Sequence, residues 1–419
     1  MAPDSSTTTR RSTGHTPTTP GGSPTRGSSP PTKPSLSFSS APTDDAFFFA
    51  VPYTTSTPLV SFLSHFTTFF QTNLRLHLAN QVKYTCTLFK YFPQSPNYTS
   101  LAQFCSMMGS EEFYCVVIPI MTWCIASFPL SRALVLLLLL NLYVGNTLKN
   151  FFCLPRPPLK YRFGGAAADE KNKVSERNIA VDALGFGWPS THSCNAVSLP
   201  FAVVFATYGS ILHSDYAAAA VAVLYATAVP FSRLVLGVHS AADVHAGMLY
   251  GGLHLRLWVS YHAEIAAVMD SVTGAAGILT VVAAACAMAA VHPRVKPQNY
   301  TYEESMCIIA YSAGFVVGKI LSDEYNVSGY ILMEEGKPLY FAAARVVVGY
   351  GIVLPCKEVI KVATGWMRSK QFKDEKGEKV IEKYDFGVGD FVSRMLQYGV
   401  GYGVGCTFLA PVVFKMVGI

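Results

Sequence analysis

Polar side chains gather at three places along the chain where long apolar runs begin or end. Because polar groups at membrane depth are costly, such gatherings are candidates for function. We name them the first, second and third clusters, in chain order. They read Lys149-Asn-Phe-Phe-Cys-Leu-Pro-Arg156-Pro157, Trp188-Pro189-Ser190-Thr191-His192-Ser193 and Ser232-Arg233-Leu-Val-Leu-Gly-Val-His239-Ser-Ala-Ala-Asp243.

The charged and imidazole groups of the clusters suit chemistry on a phosphate ester. Lys149, Arg156 and Arg233 would supply three cations, which fit a dianionic ligand such as a phosphomonoester. His239 and Asp243 are four residues apart and would be neighbours on one face of a helix. A carboxylate on one ring nitrogen sets the tautomer and leaves the other nitrogen free as a nucleophile.

The second cluster reads as the start of a helix. There the backbone N–H groups of Thr191 and His192, together with the Ser190 hydroxyl, can cradle phosphate oxygens. His192 can then protonate a departing alkoxide and later activate water. Neither step requires a metal, and the sequence has no carboxylate cluster that would hold one.

The elements that must position these residues are membrane helices. The chain has 419 residues, of which 51% are hydrophobic and 14% charged, against about 25% charged in soluble proteins. This composition excludes a soluble enzyme and predicts an all-α, polytopic membrane protein with about eight to ten spans. The candidate spans are 113–130, 132–150, 193–212, 216–233, 243–260, 265–291, 305–321, 340–364 and 388–417.

The order of these spans places all three clusters on one face of the membrane. The first two clusters flank a single loop, and the third follows after the chain has crossed and returned. Residues 1–45 are rich in Ser, Thr and Pro and are predicted to be a disordered tail. Residues 46–110 are predicted to be a juxtamembrane segment, with Phe62, Phe66, Phe69 and Phe70 at the spacing of an interfacial helix.

The net charge and the cysteine pattern limit the kinds of ligand and binding partner that the sequence favours. The net charge of +6 comes without a basic run or aromatic-interleaved patch, so we expect no nucleic-acid partner. Mild basicity suits lipid headgroups or a phosphorylated substrate. The ten cysteines show no CxxC pair, which favours small core residues over a zinc site or disulfide framework. Protein partners are not indicated.

The three clusters together resemble the signature of the type 2 phosphatidic acid phosphatase (PAP2) superfamily: KxxxxxxRP, PSxH and SRxxxxxHxxxD. Within it the sequence is most similar to the sphingosine-1-phosphate, or long-chain base phosphate, phosphatases. Pro189-Ser-Thr-His192 has their PSTH form, and His239-Ser240 matches their third motif. Gly109-Ser-Glu-Glu-Phe-Tyr114 also resembles that branch.

This resemblance implies a role for each matched residue. His239 would attack phosphorus and form a phosphohistidine, Asp243 would orient it, and His192 would be the general acid. The phosphate oxygens would be bound by four side chains and the Thr191 amide. These side chains are Lys149, Arg156, Ser190 and Arg233.

The resemblance also implies a PAP2-type catalytic core at 111–262, followed by additional transmembrane helices at 263–419. It implies a metal-independent enzyme without a cofactor, which acts on a phosphorylated lipid in the endoplasmic reticulum membrane. Its site would face the lumen.

Several alternatives stay open. Phosphatidate, lysophosphatidate and polyisoprenyl diphosphates would fit the same phosphate pocket as a sphingoid base 1-phosphate. A phosphohistidine could be resolved by an alcohol instead of water, which would make the protein a lipid phosphotransferase. A transporter or non-catalytic lipid-binding protein would also have many spans, although transporters often carry polar residues at mid-membrane.

Overall fold

The structure is a computed structural model, and it describes residues 54–55, 73, 96–125, 127–154, 156–157, 185–209, 215–296, 300–334, 336–368 and 386–419. The predicted tail at 1–45, the predicted interfacial helix around Phe62–Phe70 and most of the loop between the first two clusters lie outside these residues. Residues 369–385 also lie outside them.

The described chain is almost entirely helical. The helices are α1 (Pro96–Met108), α2 (Glu111–Cys124), α3 (Phe128–Phe152), α4 (Thr191–Tyr208), α5 (Tyr216–Val235), α6 (Ala241–Ser271), α7 (Gly274–Val291), α8 (Tyr300–Glu324), α9 (Leu339–Ala363), α10 (Val388–Arg394) and α11 (Ala410–Val417). A π-helical segment, Met395–Leu409, joins α10 to α11. Two short strands, β1 (Thr54–Thr55) and β2 (Val295–Lys296), pair antiparallel.

The all-helical membrane fold is confirmed. Within the described ranges, six helices are long and apolar enough to cross a membrane: α3, α5, α7, α8, α9 and the continuous segment Val388–Val417. Residues Asn97–Met108 and Glu111–Cys124 form a bent pair, at 57°, that would count as a seventh. Two further predicted spans, 193–212 and 243–260, correspond to α4 and α6, which are helical but carry more polar residues.

Three predicted boundaries differ from the structure. The predicted span 265–291 is two elements, because α6 continues to Ser271 and α7 begins only at Gly274. The predicted span 113–130 corresponds to α2, which ends at Cys124 before a new helix begins at Phe128. The predicted span 388–417 contains the π-helical segment, where glycine occurs at every second position from Gly399 to Gly405.

Side-chain caps explain where the site-bearing helices begin. Ser110 caps α2 by accepting the Phe113 N–H (3.2 Å), and Ser127 caps α3 by accepting the Leu130 N–H (3.5 Å). Ser240 and Asp243 form a capping box at the start of α6. Ser240 thereby fixes the point at which the third cluster passes into helix.

The core joins the helices of the three clusters to the C-terminal helices. Trp123, Leu138 and Phe315 are fully buried, as are Phe414 and Cys406. The Trp123 indole N–H donates to the carbonyl oxygen of Cys406 (2.9 Å), which ties α2 to the π-helical segment. In contrast, α7 and α9 are apolar but mostly exposed, as expected of helix faces that contact lipid.

Candidate active site

Lys149 connects the first cluster to the second. It lies in the last turn of α3 and is buried. Its Nζ donates to Asn146 Oδ1 and to Thr191 Oγ1, at 3.2 Å each. Among the described residues these two neutral oxygens are its hydrogen-bond partners. An ammonium has three N–H donors, so Lys149 can also bind an anionic ligand.

The second cluster lies at the N-terminus of α4. Ser190 is fully buried and caps the helix, with its Oγ accepting from the Ser193 N–H (3.3 Å) and the Ser193 hydroxyl (3.0 Å). The Ser190 N–H donates to the backbone carbonyl of Asp243 (3.0 Å). This bond joins the second cluster to the third, across more than fifty residues of chain.

The third cluster places a histidine beside a carboxylate. The Asp243 carboxylate accepts the Ser240 N–H (2.7 Å), and the Asp243 N–H donates to Ser240 Oγ (3.3 Å). His239 Nδ1 lies 3.5 Å from Asp243 Oδ2, and both side chains are buried. The carboxylate therefore faces Nδ1 and leaves Nε2 for other chemistry.

The surroundings of His239 keep its imidazole neutral. It lies in the loop between α5 and α6, and burial lowers its pKa well below the usual value, reinforced by the charges of Arg156, Arg233 and Lys149. Since the charged form is the disfavoured one, the ring remains unprotonated at neutral pH. A neutral imidazole has the lone pair that a nucleophile requires.

The two arginines are held by residues that no cluster contains. Arg156 donates to the hydroxyl of Tyr300 on α8, and Arg233 donates to the hydroxyl of Ser106 on α1. Both guanidinium groups are buried. Tyr300 and Ser106 are more than a hundred residues from their partners, and no motif spacing signals them.

His192 packs against the junction between α1 and α2. An added Cβ at Gly109 would lie 3.2 Å from the Cβ of His192 and 2.5 Å from Val229 Cγ1, so only glycine fits there. The amide of Asn195 donates to the Gly109 carbonyl (3.3 Å). The Gly109–Tyr114 segment therefore packs directly on the second cluster, which its position in the sequence did not reveal.

The structure thus connects Lys149, Thr191, Ser190, Asp243 and His239 through successive contacts, and His192, Arg156 and Arg233 lie around them. Within the described ranges, no three His, Cys, Asp or Glu side chains are grouped as a metal site. His254 on α6 is buried and contacts Asn141 Oδ1 on α3 (2.9 Å). Asp270, near the end of α6, contacts Arg132 on α3 (2.5 Å), and its side chain is 68% exposed.

Comparisons with known proteins show which proteins this region is similar to. Residues 131–266 match the PAP2 superfamily model. The chain is similar to human sphingosine-1-phosphate phosphatase 2, at 30% identity over 40% of this chain and 39% of the relative. It is 24% identical to lipid phosphate phosphatase delta of Arabidopsis thaliana, over 62% of each chain. It is also 24% identical to a dihydrosphingosine 1-phosphate phosphatase of Saccharomyces cerevisiae, over 66% of this chain and 67% of the relative.

The alignments therefore span less than two thirds of the length of the human and Arabidopsis relatives. No solved structure matches the chain. The predicted core at 111–262 and the matched residues overlap over most of their length, and α3 to α6 carry all three clusters. Residues 131–266 of this chain are therefore similar to the PAP2 superfamily, in agreement with the resemblance carried by the three clusters.

Proposed function

We propose that the protein is a lipid phosphate phosphatase that hydrolyses a sphingoid long-chain base 1-phosphate. The observation that carries the proposal is the junction of the three clusters at one buried site, through the Lys149–Thr191, Ser190–Asp243 and Asp243–His239 contacts. Relatives named as phosphatases of sphingosine and dihydrosphingosine 1-phosphates support the choice of substrate.

In the proposed first step, His239 Nε2 attacks phosphorus and the bond from phosphorus to the lipid oxygen breaks. His192 gives its proton to the departing alkoxide, so that the lipid leaves as an alcohol. Lys149, Arg156, Arg233, Ser190 and the Thr191 amide hold the phosphate oxygens, whose charge they stabilise in the transition state. Asp243 stabilises the charge that develops on the His239 ring.

In the proposed second step, His192 takes a proton from water and the resulting hydroxide attacks phosphohistidine. The phosphorus–nitrogen bond breaks, phosphate leaves, and His239 returns to its neutral form. Every step uses groups of this chain, so we propose metal-independent turnover. We place the enzyme in the endoplasmic reticulum membrane with the site facing the lumen, on the basis of the family resemblance.

The test is phosphate release by the purified protein in detergent with EDTA present. Sphinganine 1-phosphate is compared with phosphatidate, and His239→Ala is compared with His245→Ala, which alters an exposed histidine six residues further along. We expect release from the sphingoid substrate, with kcat lowered at least about 10³-fold in His239→Ala because the nucleophile is lost. His245→Ala should retain wild-type turnover. Full activity of His239→Ala would refute the mechanism.

A second candidate is a broader lipid phosphate phosphatase acting on phosphatidate or polyisoprenyl diphosphate. The Arabidopsis relative, named as a lipid phosphate phosphatase, favours it. Phosphate release from phosphatidate equal to or greater than that from sphinganine 1-phosphate would select this candidate. Labelled phosphate that appears on an added lipid alcohol instead of in solution would indicate phosphotransfer.

A further inference from the structure

A carboxylate that belongs to no cluster lies beside the candidate phosphate site. Glu304, on α8, accepts a hydrogen bond from Asn146 Nδ2 through its Oε2 (3.3 Å). The same Asn146 amide accepts from Lys149 Nζ (3.2 Å). One amide group therefore separates this carboxylate from the ammonium that we assign to phosphate binding.

Glu304 shares its helix face with another residue that contacts the site. Tyr300, one turn earlier on α8, accepts from Arg156 through its hydroxyl. Residues four apart lie on the same side of a helix. Glu304 and Tyr300 therefore both face the cations of the site, although α8 lies outside the matched PAP2 residues.

The Glu304 carboxylate has no cation of its own among the described residues. Its sequence neighbour Glu303 forms an ion pair with Arg394. No Lys or Arg nitrogen in the described ranges lies within ion-pair distance of Glu304, whose hydrogen-bond donor is the neutral Asn146 amide. A partly buried carboxylate in this position is suited to bind a ligand cation.

A second carboxyl group lies near the site. Glu111 is in the first turn of α2, close enough to Glu304 and Lys149 for electrostatic interaction with both. Cations and carboxylates thus occupy adjacent regions. That pattern complements a zwitterion more closely than a simple phosphate ester, since a purely anionic substrate would be repelled on one side.

We propose that Glu304 is a specificity-determining residue that binds the protonated amine of a sphingoid base 1-phosphate. In such a lipid the amine is on the carbon next to the phosphorylated one, so an ammonium must lie beside the phosphate. Phosphatidate has an uncharged ester oxygen at that carbon. This inference rests on the proposed phosphatase function and deepens it by assigning the group that selects the substrate.

The test compares two substrates that differ in the charge of the amine. Sphinganine 1-phosphate has the ammonium, and N-acetylsphinganine 1-phosphate has an uncharged amide in its place. The kcat/KM ratio of the two is measured for the full-length wild type, Glu304→Gln and Glu303→Gln in detergent. Glu303→Gln is the matched control, because it removes the adjacent carboxylate. Size-exclusion profiles establish that each variant is folded.

We expect Glu304→Gln to lower the ratio at least about tenfold, the loss of one charge-assisted hydrogen bond. The decrease in kcat/KM should occur with sphinganine 1-phosphate and not with the N-acetylated substrate. Glu303→Gln should keep the wild-type ratio, and Glu304→Asp should lie between wild type and Glu304→Gln because it retains the charge.

Three outcomes would overturn the inference. Equal losses on both substrates in Glu304→Gln would mean that the carboxylate only balances the site cations or orients Asn146. A wild type without preference for the amine would exclude ammonium recognition, whether or not the variant folds. In both cases the phosphatase function stands. If the wild type releases phosphate from neither substrate, the proposed function fails and this inference fails with it.

Discussion

Asp243 contacts both the start of a helix and the histidine that we propose as the nucleophile. Its carboxylate accepts the backbone N–H of Ser240 at the start of α6 and lies 3.5 Å from His239 Nδ1. The same group therefore stabilises the helix terminus and faces the ring nitrogen that must not react. The four-residue spacing of His239 and Asp243 in the sequence does not show that one carboxylate makes both contacts.

The substitution Asp243→Asn distinguishes the contact with the helix terminus from the contact with His239. An amide oxygen can still accept the Ser240 N–H, so we expect the thermal unfolding midpoint to change little. The neutral side chain cannot stabilise positive charge on His239, and kcat should fall by about 10²–10⁴-fold, as when the carboxylate partner of a catalytic histidine is neutralised. Steady-state kinetics and thermal unfolding in detergent measure the two effects. A variant within threefold of the wild-type kcat would contradict the role of Asp243.

At the scale of elements, the site depends on how closely α6 approaches α4. An added Cβ at Gly247 would lie 2.3 Å from the carbonyl oxygen of Ser190, and one at Gly251 would lie 2.6 Å from that of Cys194. These two glycines, four residues apart, allow the helix backbones to touch, as in membrane helix pairs with small residues at this spacing. The contact holds the second cluster against the third.

Gly247→Ala tests this contact. The methyl group would force the helices apart and destabilise the fold by about 1–3 kcal/mol, the usual cost of overpacking. Because Ser190 moves with α4, kcat should also fall. Gly252→Ala is the control, since an added Cβ there meets no atom within 4 Å. Unfolding midpoints that are equal in the two variants would show that the approach of α6 to α4 is not tight.

At the scale of the whole molecule, the site extends beyond its family domain. Arg156 is held by Tyr300, and Lys149 is connected through Asn146 to Glu304; both contacts come from α8. Buried contacts between Trp123, Phe315 and Cys406 join α8 and the π-helical segment to α2. Helix α8 therefore contributes contacts to the candidate site, and the buried core joins it to the π-helical segment and to α2.

Tyr300→Phe tests this dependence. Without the hydroxyl, Arg156 loses a partner that holds it in place, so we expect KM for a phosphorylated lipid to rise about tenfold, the value of one hydrogen bond to a charged group. The kcat should change less, as for loss of uniform binding. Tyr302→Phe, two residues further on α8, is the control, because its hydroxyl contacts the Ala289 carbonyl away from the site. The same KM shift in both variants would contradict the role of Tyr300.

The sequence by itself determined the chemistry-bearing residues and the class of fold. Each of the nine predicted spans overlaps a helix, because length and apolar composition are local properties of a segment. The PAP2 family also followed from the three clusters, whose internal spacings are local. The predicted spans do not show helix breaks such as the one between Ser271 and Gly274. An apolar segment changes little in composition at the point where one helix ends and the next begins.

Only the tertiary structure decided which distant side chains complete the site. Ser106 and Tyr300 contact the clusters directly, and Glu304 contacts them through Asn146. All three lie more than a hundred residues from their partners, and their immediate sequence gives no sign of these contacts. Such contacts depend on how helices cross and how closely their backbones approach, which is set by packing at residues such as Gly109 and Gly247. Local spacing placed His239 beside Asp243, and packing decided which groups surround them.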